Sequence, residues 1–473
     1  MKRTFALLLI ILLPTLLAAQ VKQAREIRPV VFRNVTLIDM TSEQPKPNMT
    51  IVISGNRVAE IGKSVRIPRN AQIIDASGKF LIPGLWDMHV HTVHPSYLAL
   101  FVANGVTGIR DMGGAAIDTN EGCESIAPKT LMTWRERIRS GNWIGPRMLI
   151  SGPAVSNTGW ATSLNIRTPD EAKNAVKTLQ TLGVDFIKVY EKIPLAAYQT
   201  LARGAKAVGL PIAGHVPVET VSLVEAAQAG QRSVEHIRDP LLMCFTKNRN
   251  ELLQFFKEDN WSETDIEWGL KQFEQCPKVI KAFQDNDTWL VPTLTVERAK
   301  IAVEDPKFVK DSRRKLLPKS VQQGFNNYVT KKLAQPAAKR KSERLWWISQ
   351  KQLVTRMRAE RSNFLAGTDS ACEGGLPGFS LHEELKLLVE AGFTPLEALQ
   401  TATINPAKYL NLTDSLGTIE KGKLADSVLL DANPLADISN TRKINAVIAD
   451  GRYLSKETLE KMLADVETAV KEK

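Results

Sequence analysis

Eight short apolar segments follow one another through the middle of this 473-residue chain, and helical patterns or long intervals separate most of them. Alternation of this kind predicts parallel strands joined by helices, and eight repeats predict a closed (β/α)8 barrel. The fold class is therefore α/β, with a TIM-like barrel over residues 81–411. The predicted barrel strands are Leu81–His91, Val106–Met112, Arg147–Gly152, Phe186–Tyr190, Pro211–Val216, Arg232–Ile237, Leu290–Val296 and Asn363–Ser370.

Two long intervals interrupt this alternation, at residues 238–289 and 297–361. Both are rich in Trp, Lys and Gln, and both follow a predicted strand. Intervals of this length without secondary structure are uncommon in compact domains, so we expect several helices in each. Because active sites of such barrels lie beyond the carboxyl ends of the strands, the two insertions are predicted to cap the catalytic face.

The two ends of the chain have a different residue pattern from the middle. Short β-branched, alternating runs punctuated by Gly and Asn predict strands at Pro29–Asp39, Met49–Ile53, Arg57–Ile61, Ala71–Asp75, Ser427–Asp431 and Ile444–Ala449. Two separate strand-rich ends are most simply combined in one small composite β-sandwich domain, formed by residues 20–80 and 412–473. A polar segment with helical spacing, Lys456–Lys473, ends it as a surface helix.

The first residues predict export to the periplasm or the medium. Lys2 and Arg3 precede an apolar run from Phe5 to Leu17, and small residues follow. This is the pattern of a secretory signal peptide over residues 1–19, with cleavage near Ala19. An uncleaved anchor is the alternative, but no second apolar stretch of spanning length follows, so no stable membrane anchor is expected.

The formal net charge of +11 is concentrated in one region. Residues 238–361 carry 25 Lys and Arg against 16 Asp and Glu, a balance of +9. Acidic residues are interspersed with the basic ones, and export argues against nucleic acid as a partner. The region is interpreted as a solvated helical surface that could favour acidic small-molecule substrates.

Four cysteines in an oxidising compartment can form disulfides. Cys123, Cys244, Cys276 and Cys372 allow three connectivities, and the sequence does not choose among them. Cys244–Cys276 is a plausible pair because both lie in the same insertion, and free buried thiols are the alternative.

Six residues at or near the carboxyl ends of predicted strands carry the chemistry. Each alone has an ordinary structural explanation, such as a buried His or a helix-capping Asp. Their order along the strands, however, makes a coincidence of six such explanations improbable. The residues are His89, His91, Lys188, His215, His236 and Asp369. On a strand, residues two apart share a face, so His89 and His91 can bind one metal ion.

The motifs around these residues resemble those of the amidohydrolase superfamily in its binuclear-metal form. The resemblance is greatest to the imidazolonepropionase-like and prolidase-like branch, and it spans nearly the whole mature chain. It is carried by Asp87-Met88-His89-Val90-His91, Ile187-Lys188-Val189-Tyr190, Gly214-His215-Val216, Glu235-His236, Gly367-Thr368-Asp369 and Gly422-Lys423-Leu424-Ala425-Asp426.

The resemblance implies a ligand set for two divalent ions, with zinc the preferred metal. His89 and His91 would bind the buried ion, His215 and His236 the more exposed ion, and Asp369 would contact the buried one. A carbamate formed from Lys188 and carbon dioxide would bridge the two.

The activity implied is hydrolysis of carbon–nitrogen bonds, in dipeptides (Xaa-Pro or Xaa-Xaa) or N-acyl amino acids, by a metal-bridging hydroxide. Asp369 would move the proton to the leaving amine, and Tyr190 would donate to the developing oxyanion or simply pack over the site. Relatives often carry Thr-Gly-Gly-His after the third strand. This chain has Asn157-Thr158-Gly159-Trp160, so Trp160 is a candidate for an apolar subsite.

Three alternatives stay open on the sequence. The same site could serve an esterase, lactonase or phosphoesterase. A mononuclear deaminase is disfavoured, because those relatives usually carry Glu three residues after the fifth-strand His, and this chain has Val218 there. A non-catalytic exported binding protein would have no need of an intact ligand set. The oligomeric state, including a homo-oligomer, is not determined by the sequence.

Overall fold

The structure is a computed structural model, and it describes residues 28–113, 115, 126–160, 162–245 and 276–471. The predicted signal peptide, Cys123 and part of the first predicted insertion lie outside the described residues.

Strands from both ends of the chain form one eight-stranded sheet. Its members are β1 Val30–Leu37, β2 Lys46–Ser54, β3 Arg57–Gly62, β4 Gln72–Asp75, β5 Phe80–Pro83, β16 Ser427–Leu430, β17 Ile444–Ala449 and β18 Arg452–Ser455. They lie in the order β18-β17-β16-β5-β1-β2-β3, and β4 also pairs with β1. Alternate residues of these strands, such as Val30, Phe32, Ile51 and Ile53, are buried together in a core of their own. The link between the two ends is β5, which pairs in parallel with β1 and antiparallel with β16.

The barrel strands fall into a three-stranded and a seven-stranded parallel sheet. They are β6 Leu85–Val90, β7 Val106–Asp111, β8 Arg147–Ile150, β11 Ile187–Val189, β12 Ile212–Gly214, β13 Gln231–Glu235, β14 Trp289–Val291 and β15 Asn363–Phe364, with β9 Val155–Ser156 and β10 Leu164–Asn165 added at one edge. Two parallel bridges, Ser151 to Phe186 and Val90 to Ser370, connect the sheets and close the cylinder. The predicted α/β fold class is confirmed.

Helices surround the barrel and fill the two insertions. They are α1 Tyr97–Ala103, α2 Pro128–Arg139, α3 Pro169–Leu182, α4 Leu195–Ala207, α5 Leu223–Gln228, α6 Arg238–Phe245, α7 Cys276–Asp285, α8 Leu294–Ala302, α9 Pro306–Val309, α10 Lys319–Leu333, α11 Ala337–Ala359, α12 Phe379–Glu390, α13 Pro395–Thr401, α14 Ile404–Tyr409 and α15 Lys456–Lys471. Among the described residues, none of the helices combines the length and apolar character needed to cross a membrane.

Three predicted barrel strands had a boundary that was wrong by several residues. The predicted eighth strand, Asn363–Ser370, ends at Phe364. The predicted first barrel strand, Leu81–His91, is divided at Gly84, because residues before it pair with β16 and the Gly84 amide donates to Asp426. The predicted seventh strand, Leu290–Val296, ends at Val291. Thr293 adopts a left-handed conformation with φ 48°, and α8 begins at the next residue.

A disulfide joins α6 and α7, the two helices that the structure describes in the first insertion. Cys244, at the end of α6, forms a disulfide with Cys276, at the start of α7, and this confirms the pairing predicted from their positions. Cys372 is disulfide-bonded as well. The second insertion contains α8 to α11, so its predicted helical character is observed.

A buried histidine ties the barrel to the accessory sheet. His382 on α12 donates from Nε2 to the Asn104 carbonyl at 3.1 Å, and its Nδ1 lies 2.9 Å from the Thr441 hydroxyl. Thr441 belongs to a short 3-10 helix, Ile438–Arg442, just before β17. Burial foremost, with the nearby Arg442 guanidinium, lowers the pKa of His382 to about 4.

We expect His382 to make the protein sensitive to acid. Because the unfolded chain binds a proton here near pH 6.5 and the folded chain does so only near pH 4, folding loses up to about 3 kcal/mol as the pH falls through that window. In His382→Gln the group cannot titrate. Urea unfolding of the metal-free protein at pH 7.5 and pH 4.5 should therefore show a smaller pH-dependent loss in the variant. An equal loss in both proteins would contradict the assignment.

Candidate metal and hydrolase site

The six residues predicted as ligands all lie at the carboxyl-terminal mouth of the barrel. His89 is on β6 and Lys188 on β11, while the other four directly follow or lie shortly after β6, β12, β13 and β15. Parallel strands of a barrel end at the same mouth, so residues far apart in sequence meet there.

Asp369 is the point on which the histidines converge. Its Oδ1 lies 3.3 Å from His89 Nε2 and 3.2 Å from His91 Nε2. Potential ligand atoms of His89, His236 and Asp369 lie within 4.8 Å of one another. The ring centroids of His89 and His236 are 4.9 Å apart, and those of His236 and His215 are 4.7 Å apart. The structure therefore brings these histidines and Asp369 into one cluster.

The hydrogen bonds of the Nδ1 atoms fix the orientation of two imidazoles. His89 Nδ1 lies 2.9 Å from the Glu235 carboxylate, and His91 Nδ1 lies 3.1 Å from the Gly113 carbonyl. Neither oxygen can donate, so both Nδ1 atoms carry a hydrogen and the Nε2 atom of each ring faces Asp369. Among the described residues, His89 Nε2 is buried and has no hydrogen-bond partner. Two imidazole nitrogens that converge on one buried carboxylate oxygen form a donor set that fits a divalent metal ion.

His236 is held from the far side by Thr293, whose hydroxyl lies 2.7 Å from Nδ1. His236, Thr293 and Asp369 all have positive φ, at 65°, 48° and 56°. Left-handed backbone costs about 1–3 kcal/mol for a residue other than glycine. These left-handed residues follow β13, β14 and β15. At each of them the backbone leaves the strand direction, and the residue lies at the mouth of the barrel.

Lys188 is 1% exposed and lies beneath Tyr190, with Nζ 5.8 Å from the ring centroid. The Tyr190 ring in turn stacks on His215, with centroids 4.1 Å apart. Lys188 and Tyr190 therefore share one side of the strand, as the sequence predicted. Burial of an ammonium group is costly, so lysine is an unusual residue at this interior position.

Glycines allow the close strand contacts that the site needs. Gly214 has φ 126°, and a Cβ at this position would lie 2.2 Å from the Val189 carbonyl oxygen and 3.0 Å from Lys188 Cδ. A Cβ at Gly367 would lie 2.8 Å from His89 Cβ. Only glycine permits β11 and β12, and the first and last barrel strands, to approach so closely beside the ligands.

Burial and neighbouring charges shift the pKa values of the cluster. Burial raises the pKa of Asp369, but His89, His91 and His236 outweigh it and hold that pKa well below its usual range. Burial, with Lys188 and Arg238, lowers the pKa of His215 well below its usual value, and burial with His215 does the same to His236. Asp369 is therefore ionised and the two imidazoles neutral, as metal ligands must be.

Sequence reasoning gave no role to Glu235 and Arg110, which lie behind His89. Arg110 Nη2 donates to Glu235 Oε1 at 2.7 Å, and Glu235 Oε2 contacts His89. Burial would raise the pKa of Glu235, but Arg110 foremost lowers it to about 2. The Glu235-His236 motif was the sequence feature that could have indicated a role for Glu235. No sequence feature indicated a role for Arg110 on β7, because a charged residue on a strand is ordinarily exposed.

The remaining candidates lie around this cluster. Trp160 packs on Tyr190 with centroids 5.0 Å apart and is 44% exposed, so it lines the mouth. His94 contacts the Ser96 hydroxyl through Nδ1 at 2.8 Å in the loop after β6, as expected of a residue outside the ligand face. Cys372 is close enough to His91 and Asp369 to suggest a ligand, but its sulfur is already in a disulfide.

A charged rim lies on the other side of His215. Glu191 Oε1 is 3.8 Å from His215 Nδ1 and 3.9 Å from Arg238 Nη1. Arg238 is 37% exposed and begins α6, two residues after His236. The guanidinium is therefore beside the imidazole cluster and open to solvent.

The sequence model of the amidohydrolase family matches residues 80–454. The chain belongs to the amidohydrolase family. Among solved structures, a bottromycin amidohydrolase is 22% identical with a TM-score of 0.70, covering 93% of this chain and 90% of that one. A Xaa-Pro dipeptidase with bound methionine is 20% identical with a TM-score of 0.63, covering 90% of this chain and 100% of that one. Both show the fold.

One curated relative, adenine deaminase 2 of Jannaschia sp. (strain CCS1), is 35% identical over 91 residues. This match covers 19% of this chain and only 15% of the relative. The family membership supports a hydrolase that acts on carbon–nitrogen bonds of small molecules, and its members are generally metal-dependent.

Metal removal should destabilise the protein. A chelator is expected to lower the midpoint of thermal unfolding and zinc to restore it, since a ligand present at a thousandfold excess over its Kd adds about 4 kcal/mol. Asp369→Asn should weaken the restoration, whereas Asp465→Asn, an exposed carboxylate on α15, should not. Identical melting of chelated and zinc-loaded wild type would argue against a metal site.

Proposed function

We propose that this protein is an exported, metal-dependent amidohydrolase that cleaves the amide bond of dipeptides or N-acyl amino acids. The observation that carries the proposal is the convergence of the His89 and His91 Nε2 atoms on Asp369 in a buried site. Lys188, His215 and His236 would complete a donor set for two ions. His89, His91 and Asp369 would hold the buried ion, and His215 and His236 would hold the other. Imidazole and carboxylate ligands suit zinc.

A pair of divalent ions, when bound, would lower the pKa of a water molecule and polarise the scissile carbonyl. The residues of the chain supply the proton transfers. Asp369 is ionised, so it can accept a proton from the attacking water and pass it to the leaving amine. The products are then a carboxylic acid and an amine. We propose that the Tyr190 hydroxyl donates to the developing oxyanion, since the Tyr190 ring contacts the His215 ring.

We propose that Lys188 is carboxylated. Its burial beneath Tyr190 disfavours an ammonium group, and a carbamate would replace that positive charge with an anion whose two oxygens can bind two ions. An unmodified lysine would add a positive charge beside His215 and His236 and would work against metal binding.

The charged rim beside His215, formed by Glu191 and Arg238, favours the proposal of a substrate with a free carboxylate. Arg238 is solvent-accessible, begins a helix beside His215, and can form a bidentate pair with a carboxylate. Trp160 offers an exposed aromatic face near Tyr190 for an apolar side chain. A dipeptide or N-acyl amino acid has both features. The match to an Xaa-Pro dipeptidase structure is compatible with this substrate class.

Export is supported by two independent features. The basic and apolar start of the chain has the pattern of a signal peptide. The Cys244–Cys276 disulfide, with Cys372 also disulfide-bonded, is typical of proteins outside the reducing cytoplasm.

Lys188→Ala should abolish hydrolysis and lower the metal content from two zinc ions per chain to one or fewer. Lys206→Ala, at the exposed end of α4, is the matched control and should retain both. The measurement is elemental analysis with activity on an Ala-Pro and N-acetyl-leucine panel in zinc and bicarbonate. Full activity and two ions in Lys188→Ala would exclude the proposed bridge.

Arg238→Met should raise KM at least tenfold for substrates with a free carboxylate, with little change for their C-terminal amides. Arg298→Met, which removes an exposed guanidinium paired with Glu383 at 3.5 Å, should leave both values unchanged. An equal rise in KM for acids and amides would remove Arg238 from substrate recognition.

The same assay, with the panel extended to esters, lactones, phosphoesters and nucleobases, separates the alternative activities. Turnover of esters, lactones or phosphoesters without amides would replace the substrate class but keep the site. One metal ion per chain with ammonia release from nucleobases would favour a deaminase. Bound metal without any turnover would favour a binding protein.

A further inference from the structure

A continuous chain of buried polar side chains extends from the barrel interior to the candidate metal site. We call it the His89 support chain, and its members are Tyr409, Arg110, Ser233 and Glu235. Arg110 is 1% exposed and Glu235 is fully buried, so both charges are removed from water. Such a pair is stable only when every polar atom is satisfied.

Every nitrogen of the Arg110 guanidinium donates a hydrogen bond. Its Nε donates to the Met88 carbonyl at 2.7 Å, and Nη1 donates to the Tyr409 hydroxyl at 2.8 Å and to Ser233 Oγ at 2.9 Å. Nη2 donates to Glu235 Oε1 at 2.7 Å. Arg110 therefore fixes Glu235 from behind, and it also binds the backbone of β6 one residue before His89.

The carboxylate of Glu235 divides its two oxygens between support and site. Oε1 accepts from Arg110 and from Ser233 Oγ at 2.6 Å, while Oε2 faces His89 Nδ1 at 2.9 Å. With Oε1 occupied, Glu235 cannot rotate away without breaking two hydrogen bonds. The carboxylate also increases the electron density of the imidazole, which makes Nε2 a stronger ligand.

We propose that Glu235, held by Arg110, is a positioning residue that fixes His89 in the tautomer with Nε2 free and raises the affinity of the site for a divalent ion. The inference rests on the proposed metal site. It goes beyond it by assigning a role to residues that contact no substrate and no ion.

A purely structural role is the competing explanation, because the chain also connects β6, β7, β13 and α14. The two roles differ in what they affect. A structural link changes the free energy of unfolding of the metal-free protein. A positioning role changes the dissociation constant for the ion and the geometry around it.

The test compares Glu235→Gln with Tyr409→Phe in purified full-length protein. Zinc affinity is measured by competition with a chromophoric chelator, and cobalt is substituted to record its visible absorption spectrum. Glu235→Gln should weaken zinc binding about 10–100-fold and shift the cobalt spectrum, as losses of a ligand's hydrogen-bond partner generally do. Tyr409→Phe removes one hydrogen bond to Arg110 without touching the carboxylate. It should lower the unfolding midpoint of the metal-free protein while zinc affinity changes less than about threefold.

Each outcome of the test decides between these possibilities. Wild-type affinity and spectrum in Glu235→Gln would overturn the inference, and so would equal losses of affinity in the two variants. Should Glu235→Gln not fold, Ser233→Ala removes one donor to Oε1 and one acceptor of Arg110. A zinc affinity weakened in the same direction supports the inference, while an unchanged affinity overturns it. Failure of the wild type itself to bind zinc or cobalt would instead reject the proposed metal site.

Discussion

The pairing of the last barrel strand with the first one is the interaction on which the site depends. The His89 carbonyl accepts from the Thr368 and Asp369 amides at 3.1 and 2.8 Å, and the Met88 amide donates to the Ala366 carbonyl at 2.9 Å. These bonds place a carboxylate from the end of the barrel sequence against two imidazoles from its beginning. Gly367 leaves the space for the contact. Without this closure the candidate ligand residues would remain on separate strands with no common centre.

The same closure creates a buried interior in which fixed charges must be balanced. Asp87 accepts from the Thr368 hydroxyl at 2.7 Å and the Thr368 amide at 3.0 Å, and burial raises its pKa to about 8 despite those bonds. Glu235 stays charged because Arg110 is beside it. Two carboxyl groups near His89 thus have opposite states, one held neutral by desolvation and one held ionised by a partner. The local charge is set by packing, before any ion or substrate binds.

Periodicity and spacing were enough to predict the barrel, the sheet formed from both ends and the residues that cluster at the mouth. The predicted ligands are recognisable because His, Lys and Asp are unusual at the ends of apolar strands. The Arg110 contact could not be predicted, because its partners lie on β13 and α14 and become neighbours only when the cylinder closes. Leu81–Pro83 and Leu294–Val296 were misassigned because an apolar run alone does not reveal whether it pairs with a barrel strand, joins another sheet or continues as a helix.

The site separates into a rigid interior and an accessible rim, and the two have different tasks. His89, His91 and Lys188 are almost fully buried, on barrel strands or directly after one, and hydrogen bonds of Nδ1 fix the direction of the two imidazoles. Arg238 and Trp160 are partly exposed, on elements that follow the strands and that can differ without disturbing the barrel. Changes at the rim can therefore alter which molecule binds while the interior keeps the same proton and charge arrangement. This separation explains why the ligand motifs identify the family, whereas the choice of substrate must be sought in the segments that surround the mouth.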